Sequence, residues 1–311
     1  MAQNRAIIDK LLTNVSSALV PEGYVSEVAL PTIRCSQQTG KLGKYGQAHL
    51  RIENTLVGGE GKYRRVKSIT RSTTSYTIDG HGLEGLVTES DYRNVELPYK
   101  AESDEVIGLS TKLWLEKESA LATTLSDTSV MTQNTTLSST AQFSDYANSD
   151  PLAKFKTARS SVRAGCGLPP DTAIMDWGVA DCLAYHPQIL DALGFKQNRA
   201  GSLNYEELAR ALGVQRILVA RPVYNSAKEG QTDVLANVWG KHIIFAVLPL
   251  QAQVYQTSLG YMVRYENKQP RQVYKYDPQN PPNSTAILCE DQYDMLISNA
   301  GAGYLIKDAI A

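Results

Sequence analysis

The chain has 311 residues, a formal net charge of −1 and a hydrophobic fraction of 42%, which fits one large folded domain or two ordinary ones. A charge this close to zero excludes a protein held to nucleic acid by bulk positive charge, although local basic patches stay open. No stretch approaches the ~20 apolar residues that cross a bilayer, and the N-terminus lacks the continuous apolar run of a signal peptide, so the predicted compartment is cytoplasmic. The four scattered cysteines include no CxxC pair, which predicts buried free thiols.

Residues 1–57 begin with a predicted amphipathic helix. Apolar residues between Ile7 and Leu19 are spaced for one helical face, and Pro21 ends the pattern. Such a face must cover either the chain's own core or a neighbour. Residues 24–57 then look extended, with glycine turns.

Residues 58–95 predict a two-stranded ribbon with a basic start. Alternating apolar residues from Val66 to Val87 indicate the strands, and Asp79–Gly82 is the predicted turn or bulge between them. A lone ribbon is marginal in water, so it needs a partner surface. The basic residues are Lys62, Arg64, Arg65, Lys67 and Arg71.

Three interpretations of this basic run are open. It is a solvated charged surface, a nucleic-acid contact without a recognisable binding fold, or a surface that pairs with acidic residues of a neighbouring subunit. The candidate acidic partners stand at the start of the next helix: Glu102, Asp104 and Glu105.

That helix is the longest predicted element and spans residues 103–127. Ile107, Trp114 and Leu121 recur every seven residues, which predicts that they pack along one buried stripe. Ser103 is the expected N-cap. The charged run of residues 116–118 is expected to face solvent. The Ser/Thr/Asn-rich residues 126–150 that follow predict strands and loops with little core.

From Pro151 the pattern is that of a small sheet with helices on its faces. Apolar runs predict strands at Thr172–Asp176, Arg216–Ala220 and Ile243–Leu248, with short helices between them, including Tyr205–Leu212. From Leu259 the pattern returns to strands and ends with a glycine turn and a strand at residues 300–306.

The sequence gives little support for a catalytic, cofactor-binding or metal-binding site. The GGEGK stretch of residues 58–62 lacks the spacing of a phosphate loop. The four histidines are dispersed without metal-ligand spacing, and there is no GxSxG elbow. We therefore predict no catalytic residue, no cofactor and no metal site.

Taken together, the order of predicted elements resembles the major capsid proteins of tailed bacteriophages, which have the Hong Kong 97-type fold. Three stretches are similar to that family in their local residue pattern. They are residues 176–191, beginning DWGVADCLAYHP, residues 212–219, LGVQRILV, and residues 237–240, NVWG, before an apolar strand. The terminal AGAGYLI of residues 300–306 is similar to that family's ending.

The resemblance implies an α+β chain with the subdomains of that fold. They are an N-terminal arm at 1–57, an extended β-hairpin loop at 58–95, a peripheral domain at 96–150 with a spine helix at 103–127, an α/β axial domain at 151–250 and return strands at 251–311. Because the sequence begins almost directly with the arm, we expect a separate scaffolding protein or none. Some members crosslink Lys to Asn between subunits, and Lys62 or Lys67 lies in the corresponding loop, but the acidic catalyst and the Asn acceptor are not matched.

The same resemblance implies a non-enzymatic virion subunit that assembles in the bacterial cytoplasm. Its principal partner is itself, in hexamers and pentamers around packaged DNA, with scaffolding, portal and decoration proteins as further partners and no membrane. Three alternatives stay open: an encapsulin-like compartment, a cytoplasmic α/β enzyme with a pocket near Asp176–His186, and a phage tail subunit.

Overall fold

The structure is a computed structural model that describes residues 6–45, 50–57, 61, 63, 65–66, 71–94, 100–194, 203–251, 257–278 and 283–311. The helices are α1 Lys10–Ala18, α2 Ser26–Ala29, α3 Glu89–Asn94, α4 Ala101–Ser126, α5 Pro151–Cys166, α6 Trp177–Ala184, α7 Pro187–Ala192 and α8 Tyr205–Leu212. The strands are β1 Ile7–Ile8, β2 Thr32–Cys35, β3 Thr39–Tyr45, β4 Arg71–Thr77, β5 Asp79–Val87, β6 Asn134–Thr136, β7 Thr172–Asp176, β8 Arg216–Ala220, β9 Val223–Asn225, β10 Leu235–Asn237, β11 Ile243–Ala246, β12 Gly260–Tyr265, β13 Gln272–Tyr276, β14 Thr285–Ile297 and β15 Gly303–Lys307.

The first sheet is built around the 13-residue strand β14. Both β5 and β13 pair antiparallel with its residues 286–290, so they lie on opposite edges of β14. β12 pairs with residues 293–297, while β2 and β1 add to β12 and β13. β14 is one continuous strand, because the chain runs through Glu290–Asp294 without a break.

Helix α4 packs on this sheet together with α1. Leu12 of α1 joins Val106, Leu109 and Leu113 of α4 in one buried cluster over Ile287 of β14. Leu12 and Val15 of the predicted apolar face therefore cover the chain's own core, whereas Ile7, Ile8 and Leu11 are exposed.

The second sheet has the order β6-β15-β11-β7-β8. Phe155 of α5 lies in its core, 5.7 Å from the rings of Phe143 and Phe245. The predicted elements Thr172–Asp176, Arg216–Ala220 and Tyr205–Leu212 are confirmed residue for residue. An Asn204–Glu207 capping box begins α8, and Gly213, in the left-handed region at φ 70°, ends it.

Three expectations for local structure are wrong. Asp79–Gly82 is not a turn but the start of β5. Ser103 is not the N-cap of α4, because the helix begins two residues earlier and Lys100 occupies the cap. The Ser/Thr/Asn-rich segment after α4 does contribute core, since Met131, Leu137 and Phe143 are fully or almost fully buried.

Candidate assembly surfaces and the buried charge clusters

Strands β3 and β4 form a two-stranded ribbon apart from both larger sheets. They pair antiparallel over seven residue pairs, from Thr39–Thr77 to Tyr45–Arg71. At about 3.4 Å per residue this ladder is roughly 20 Å long. The ribbon was predicted from residues 58–95 alone, and it instead joins a strand before the basic run to one that starts at Arg71.

The base of the ribbon is fixed to the first sheet. Tyr76 and Ile78 are buried against Val263 of β12 and Leu296 of β14. The Thr77 amide donates to Asp294 Oδ2 at 3.0 Å. Most other described side chains of β3 and β4 are exposed or half-buried, so the ribbon beyond its anchored base is in contact with solvent.

Large apolar side chains are exposed in the segment between β3 and β4. Leu50, Ile52, Leu56 and Tyr63 are each more than half exposed, and Ile52 is fully exposed. Apolar side chains grouped in this way are typical of a surface that contacts another molecule.

The predicted basic residues belong to the same segment. Arg65 is exposed. Lys62, Arg64 and Lys67 lie outside the described residues, and so does the side chain of Arg71, whose backbone begins β4.

The three predicted acidic contacts differ in their surroundings. Glu102 accepts hydrogen bonds from Lys275 and from the Tyr92 hydroxyl within the same chain. The Glu105 carboxylate lies against Gly85 of β5. Asp104 is exposed, so it stays a candidate contact with a second copy.

Two of the three predicted packing residues of α4 are buried, and the third is exposed. Trp114 and Leu121 are buried, and the Trp114 indole N–H donates to the Leu19 carbonyl at 3.0 Å. Ile107 is 40% exposed, which corrects its placement on the buried stripe. An α-helix drifts by about 20° every seven residues, so a residue 14 positions before Leu121 lies at the margin of that face.

A buried group of charges joins α1 and α2 to α4 and the first sheet. We call it the Lys117 cluster, and its members are Glu27, Lys117, Arg264, Arg271 and Asp291. The Lys117 ammonium contacts the Glu27 carboxylate and lies 3.3 Å from Asp291 Oδ2. Arg264 binds Asp291 Oδ1 at 2.7 Å and Glu27 Oε1 at 2.5 Å. Three cations thus share two carboxylates.

Aromatic rings and helix carbonyls complete the cluster. The Lys117 nitrogen lies 4.6 Å from the ring centre of Tyr293, and the Arg271 guanidinium lies 4.5 Å from that of Trp114. Arg271 also donates to the carbonyls of Ser16 and Ser17 at the end of α1. The same cations therefore hold both α1 and α2 against the long helix.

In the Lys117 cluster, burial and charge pairing shift the pKa of each carboxyl and of the Lys117 ammonium in opposite directions. Burial alone would raise the pKa of the Asp291 carboxyl, but Lys117 and Arg264 outweigh it and lower that pKa to about 2. Burial lowers the pKa of the Lys117 ammonium, and the carboxylates of Asp291 and Glu27 oppose this. Since the pKa of Glu27 is also lowered by these cations against the effect of burial, both carboxylates are ionised at neutral pH.

Glu118 makes a second buried junction one residue further along α4. Its carboxylate accepts from the backbone N–H groups of Val25 and Ser26, at 3.0 and 2.9 Å, and from the Trp239 indole at 2.6 Å. Trp239 belongs to the core of the second sheet. One carboxylate thus connects α4 to the start of α2 and to the other half of the molecule.

These two junctions correct the expectation that residues 116–118 face solvent. Lys117 and Glu118 are almost completely buried, whereas the Glu116 side chain is half exposed. A signal was present, because Lys117 stands four residues from both Leu113 and Leu121 on the apolar face. The partners Glu27, Arg264 and Asp291 are too distant in sequence to be linked by spacing.

The polar residues considered for an enzyme pocket have structural partners. Asp176 is the N-cap of α6, where its carboxylate accepts from the Gly178 N–H, and it also accepts from Asn237 Nδ2. His186 is fully buried, accepts from the Gln188 N–H and lies 2.9 Å from Ser149 Oγ. An open cleft of about 470 Å³ lies elsewhere, lined mainly by Asp171, Arg216 and residues 248–251.

Neither a metal site nor a membrane span is found in the described part of the chain. No three His, Cys, Asp or Glu side chains there are grouped to hold a metal ion. None of the helices described is long and apolar enough to cross a membrane.

Comparison with known proteins identifies the fold. No protein-family profile and no curated protein matches the chain. Among solved structures, a phage-related protein from Bordetella bronchiseptica RB50 is 21% identical, with 98% of each chain covered and a TM-score of 0.74. The capsid of cyanophage P-SCSP1u is 12% identical, covers 93% of this chain and 89% of its own, and has a TM-score of 0.59.

A further match is the virus-like particle from Pyrococcus furiosus, at 13% identity, 95% and 96% coverage and a TM-score of 0.55. The matches extend along nearly the whole chain, so both sheets and α4 belong to the shared architecture. The chain therefore has the mixed α+β fold of phage capsid proteins, as its resemblance to the major capsid proteins of tailed bacteriophages predicts.

Proposed function

We propose that this protein is the structural subunit of a tailed-bacteriophage head, which self-assembles into an icosahedral shell around double-stranded DNA. In this proposal it has no enzymatic activity, forms hexamers and pentamers, and resides in the virion after assembly in the host cytoplasm. Scaffolding, portal and decoration proteins are its proposed further partners, and its contact with the DNA is non-specific. The fold shared with phage capsid proteins supports the proposal.

The proposal also extends to the parts of the Hong Kong 97-type fold. The first sheet with α4 corresponds to the peripheral domain with its spine helix, and the second sheet with α5–α8 to the axial domain. The β3–β4 ribbon corresponds to the extended loop, and α1 and α2 to the N-terminal arm.

The ribbon is the observation that carries the proposal. Among the residues that the structure describes, its two strands pair only with each other, and exposed apolar side chains, including Ile52 and Leu56, lie in the segment between them. Two strands without a covering surface are marginally stable in water. A neighbouring subunit in a shell supplies that surface, and many such weak contacts allow incorrectly joined subunits to dissociate.

Truncation of the ribbon tests the proposal. Tyr45 and Arg71 face each other at the last described pair of the ladder, so residues 46–70 can be replaced by the two-residue turn Asn-Gly. We expect the truncated subunit to keep its circular dichroism spectrum and to sediment as a small species, while the full chain forms shells visible by negative-stain electron microscopy. Normal closed shells from the truncated protein would contradict the proposed role of the ribbon.

An encapsulin-like compartment is the second candidate function. It is favoured by the similarity to the virus-like particle of Pyrococcus furiosus over nearly the full length of both chains. The two functions differ in what the shell encloses. Particles purified from the natural source would contain double-stranded DNA in the first case and a co-encoded cargo protein in the second.

A further inference from the structure

Helix α5 carries positive charge without an acid of its own. Its 16 residues include four basic side chains and no Asp or Glu, in a chain whose formal net charge is −1. The nearest acid before the helix is Asp150, which caps the first turn by accepting the Ala153 N–H at 3.0 Å. The basic residues of α5 are Lys154, Lys156, Arg159 and Arg163.

The buried face of α5 determines which of its residues point outward. Phe155, Ala158 and Val162 are completely buried in the core of the second sheet. The opposite face exposes Lys156 and Arg163. The other exposed residues of that face are small: Ala153, Thr157, Ser160 and Ala164. Small side chains between two cations allow an extended polyanion to approach the helix closely.

The cations of α5 have no carboxylate partner in the described part of the chain, whereas Arg93, Arg221 and Lys268 each pair with a glutamate. Arg159 Nε is even buried without a hydrogen-bond acceptor. Like charges three and four residues apart destabilise a helix. The helix dipole favours Arg163 in the last turn, but it does not account for Lys156 and Arg159 in the middle. A bound anion would remove this repulsion.

Helix α8 adds a fifth cation beside this face. The Arg159 guanidinium lies against Gly213, which ends α8. Arg210 stands one turn before that glycine and is exposed. The two acids of α8 lie in its first turn, at the other end of the helix. The positive surface therefore continues from α5 onto the C-terminal end of α8.

The spacing of these cations fits a nucleic-acid backbone. Lys156 and Arg163 are seven residues apart, so they lie on nearly the same side of the helix and about 10 Å apart along its axis. Three phosphate steps along one strand of a DNA duplex also cover about 10 Å. Double-stranded DNA is, in addition, the polyanion that the proposed shell encloses.

We propose that the exposed face of α5, together with Arg210 of α8, binds the phosphate backbone of the enclosed double-stranded DNA. The inference rests on the proposed function and names the surface of the subunit that lines the inside of the shell. Phosphate contacts carry no sequence information, so binding is non-specific. It also weakens as the salt concentration rises, because each contact releases counterions from the DNA.

A triple substitution on this surface tests the proposal. The α5 variant carries Lys156→Gln, Arg163→Gln and Arg210→Gln, all at exposed positions. A matched control removes the same charge from exposed lysines elsewhere, with Lys112→Gln, Lys228→Gln and Lys241→Gln. A second control neutralises exposed basic residues of the ribbon and its connecting segment, with Lys41→Gln, Arg51→Gln and Arg65→Gln.

Binding of the dilute, unassembled full chain to a duplex of about 30 base pairs is measured by fluorescence anisotropy between about 50 and 200 mM NaCl. We expect the α5 variant to bind at least about tenfold more weakly than the wild type at the lower salt concentration. The slope of log affinity against log salt should fall by about 2.7, since each lost phosphate contact removes about 0.9. Both controls should bind within about twofold of the wild type.

Circular dichroism shows whether each variant folds. If the triple variant does not, Lys156→Gln alone should lower the slope by about 0.9. Three results would overturn the inference: a wild type that does not bind the duplex at the lower salt concentration, an α5 variant with wild-type affinity and slope, and a control that loses as much affinity as the α5 variant. A polyglutamate peptide that competes as well as the duplex would assign the face to an acidic protein instead.

Failure of this inference is distinguishable from failure of the proposed function. Electron microscopy should show normal shells from the α5 variant, because its substitutions lie on the DNA-binding surface. Shells from the wild type, with DNA binding that does not depend on α5, would contradict only the inference. DNA binding that depends on α5, in a chain that never forms shells, would support the surface and contradict the proposed head function.

Discussion

Lys117 and Glu27 contact each other in the Lys117 cluster, but we expect their substitutions to lower the free energy of unfolding by different amounts. With three cations and two carboxylates, the cluster has one excess positive charge. Lys117→Met removes that excess and places an apolar chain between the rings of Trp114 and Tyr293. Glu27→Gln raises the excess to two and leaves Lys117, Arg264 and Arg271 with Asp291 as the one remaining carboxylate.

The magnitudes follow from this count. A charge pair about 4 Å apart is worth roughly 4 kcal/mol at an effective dielectric constant of 20, and removing one partner of a buried pair costs about 3–5 kcal/mol. The Glu27 side chain is 29% exposed, so we expect Glu27→Gln to lower the free energy of unfolding by about 3 kcal/mol. Lys117→Met should cost less, about 1 kcal/mol, because Arg264 and Arg271 remain to pair with both carboxylates, so neither is left as an uncompensated buried charge.

Urea unfolding of the unassembled subunit, followed by tryptophan fluorescence at pH 7, measures both values. Lys112→Met on the exposed face of α4 is the control and should shift stability by less than about 0.5 kcal/mol. If Lys117→Met costs as much as Glu27→Gln, the cluster is not governed by its net charge and the reasoning is refuted.

Three further predictions concern single positions. The pKa of Asp291 lies at about 2, below its ordinary 3.8, so the ionised carboxylate stabilises the fold above pH 4 and this stabilisation is lost between pH 4 and 2. The difference in unfolding free energy between wild type and Asp291→Asn should therefore narrow by about 2 kcal/mol over that range. A difference that stays constant would contradict the pairing. Burial lowers the pKa of His186 below its ordinary 6.5, so its neutral form stabilises the fold above pH 6.5 and this stabilisation decreases as the pH drops below that value. His186→Gln should therefore make the melting temperature depend less on pH. Thermal melts from pH 7 to 5 measure this, and an unchanged pH dependence would contradict the prediction. Gly213→Val should lower the free energy of unfolding by at least about 2 kcal/mol, because valine disfavours a φ of 70° and Arg159 occupies the space of a Cβ; urea unfolding that matches the wild type would show that α8 does not require the left-handed cap.

Local pattern accounts for the parts of the fold that sequence predicts well. Thr172–Asp176 and Arg216–Ala220 are short apolar runs between turn residues, and Tyr205–Leu212 has a capping box and a terminal glycine. In each case the signal and the structure depend on the same few neighbouring residues. The order of such elements was also sufficient to suggest the fold of phage capsid proteins, which the structural matches confirm.

The parts that sequence misses depend on distant partners. Lys117 and Glu118 look like surface charges, since their partners Glu27, Asp291 and Trp239 are 90 or more residues away. The partner of β4 lies before the basic run, so alternation within residues 58–95 did not reveal it.

Electron microscopy of the purified full chain tests the central claim most directly. The account predicts closed shells built from many copies of this chain. A protein that remains monomeric at every concentration and ionic strength, with residues 39–77 packed on its own body, would contradict it.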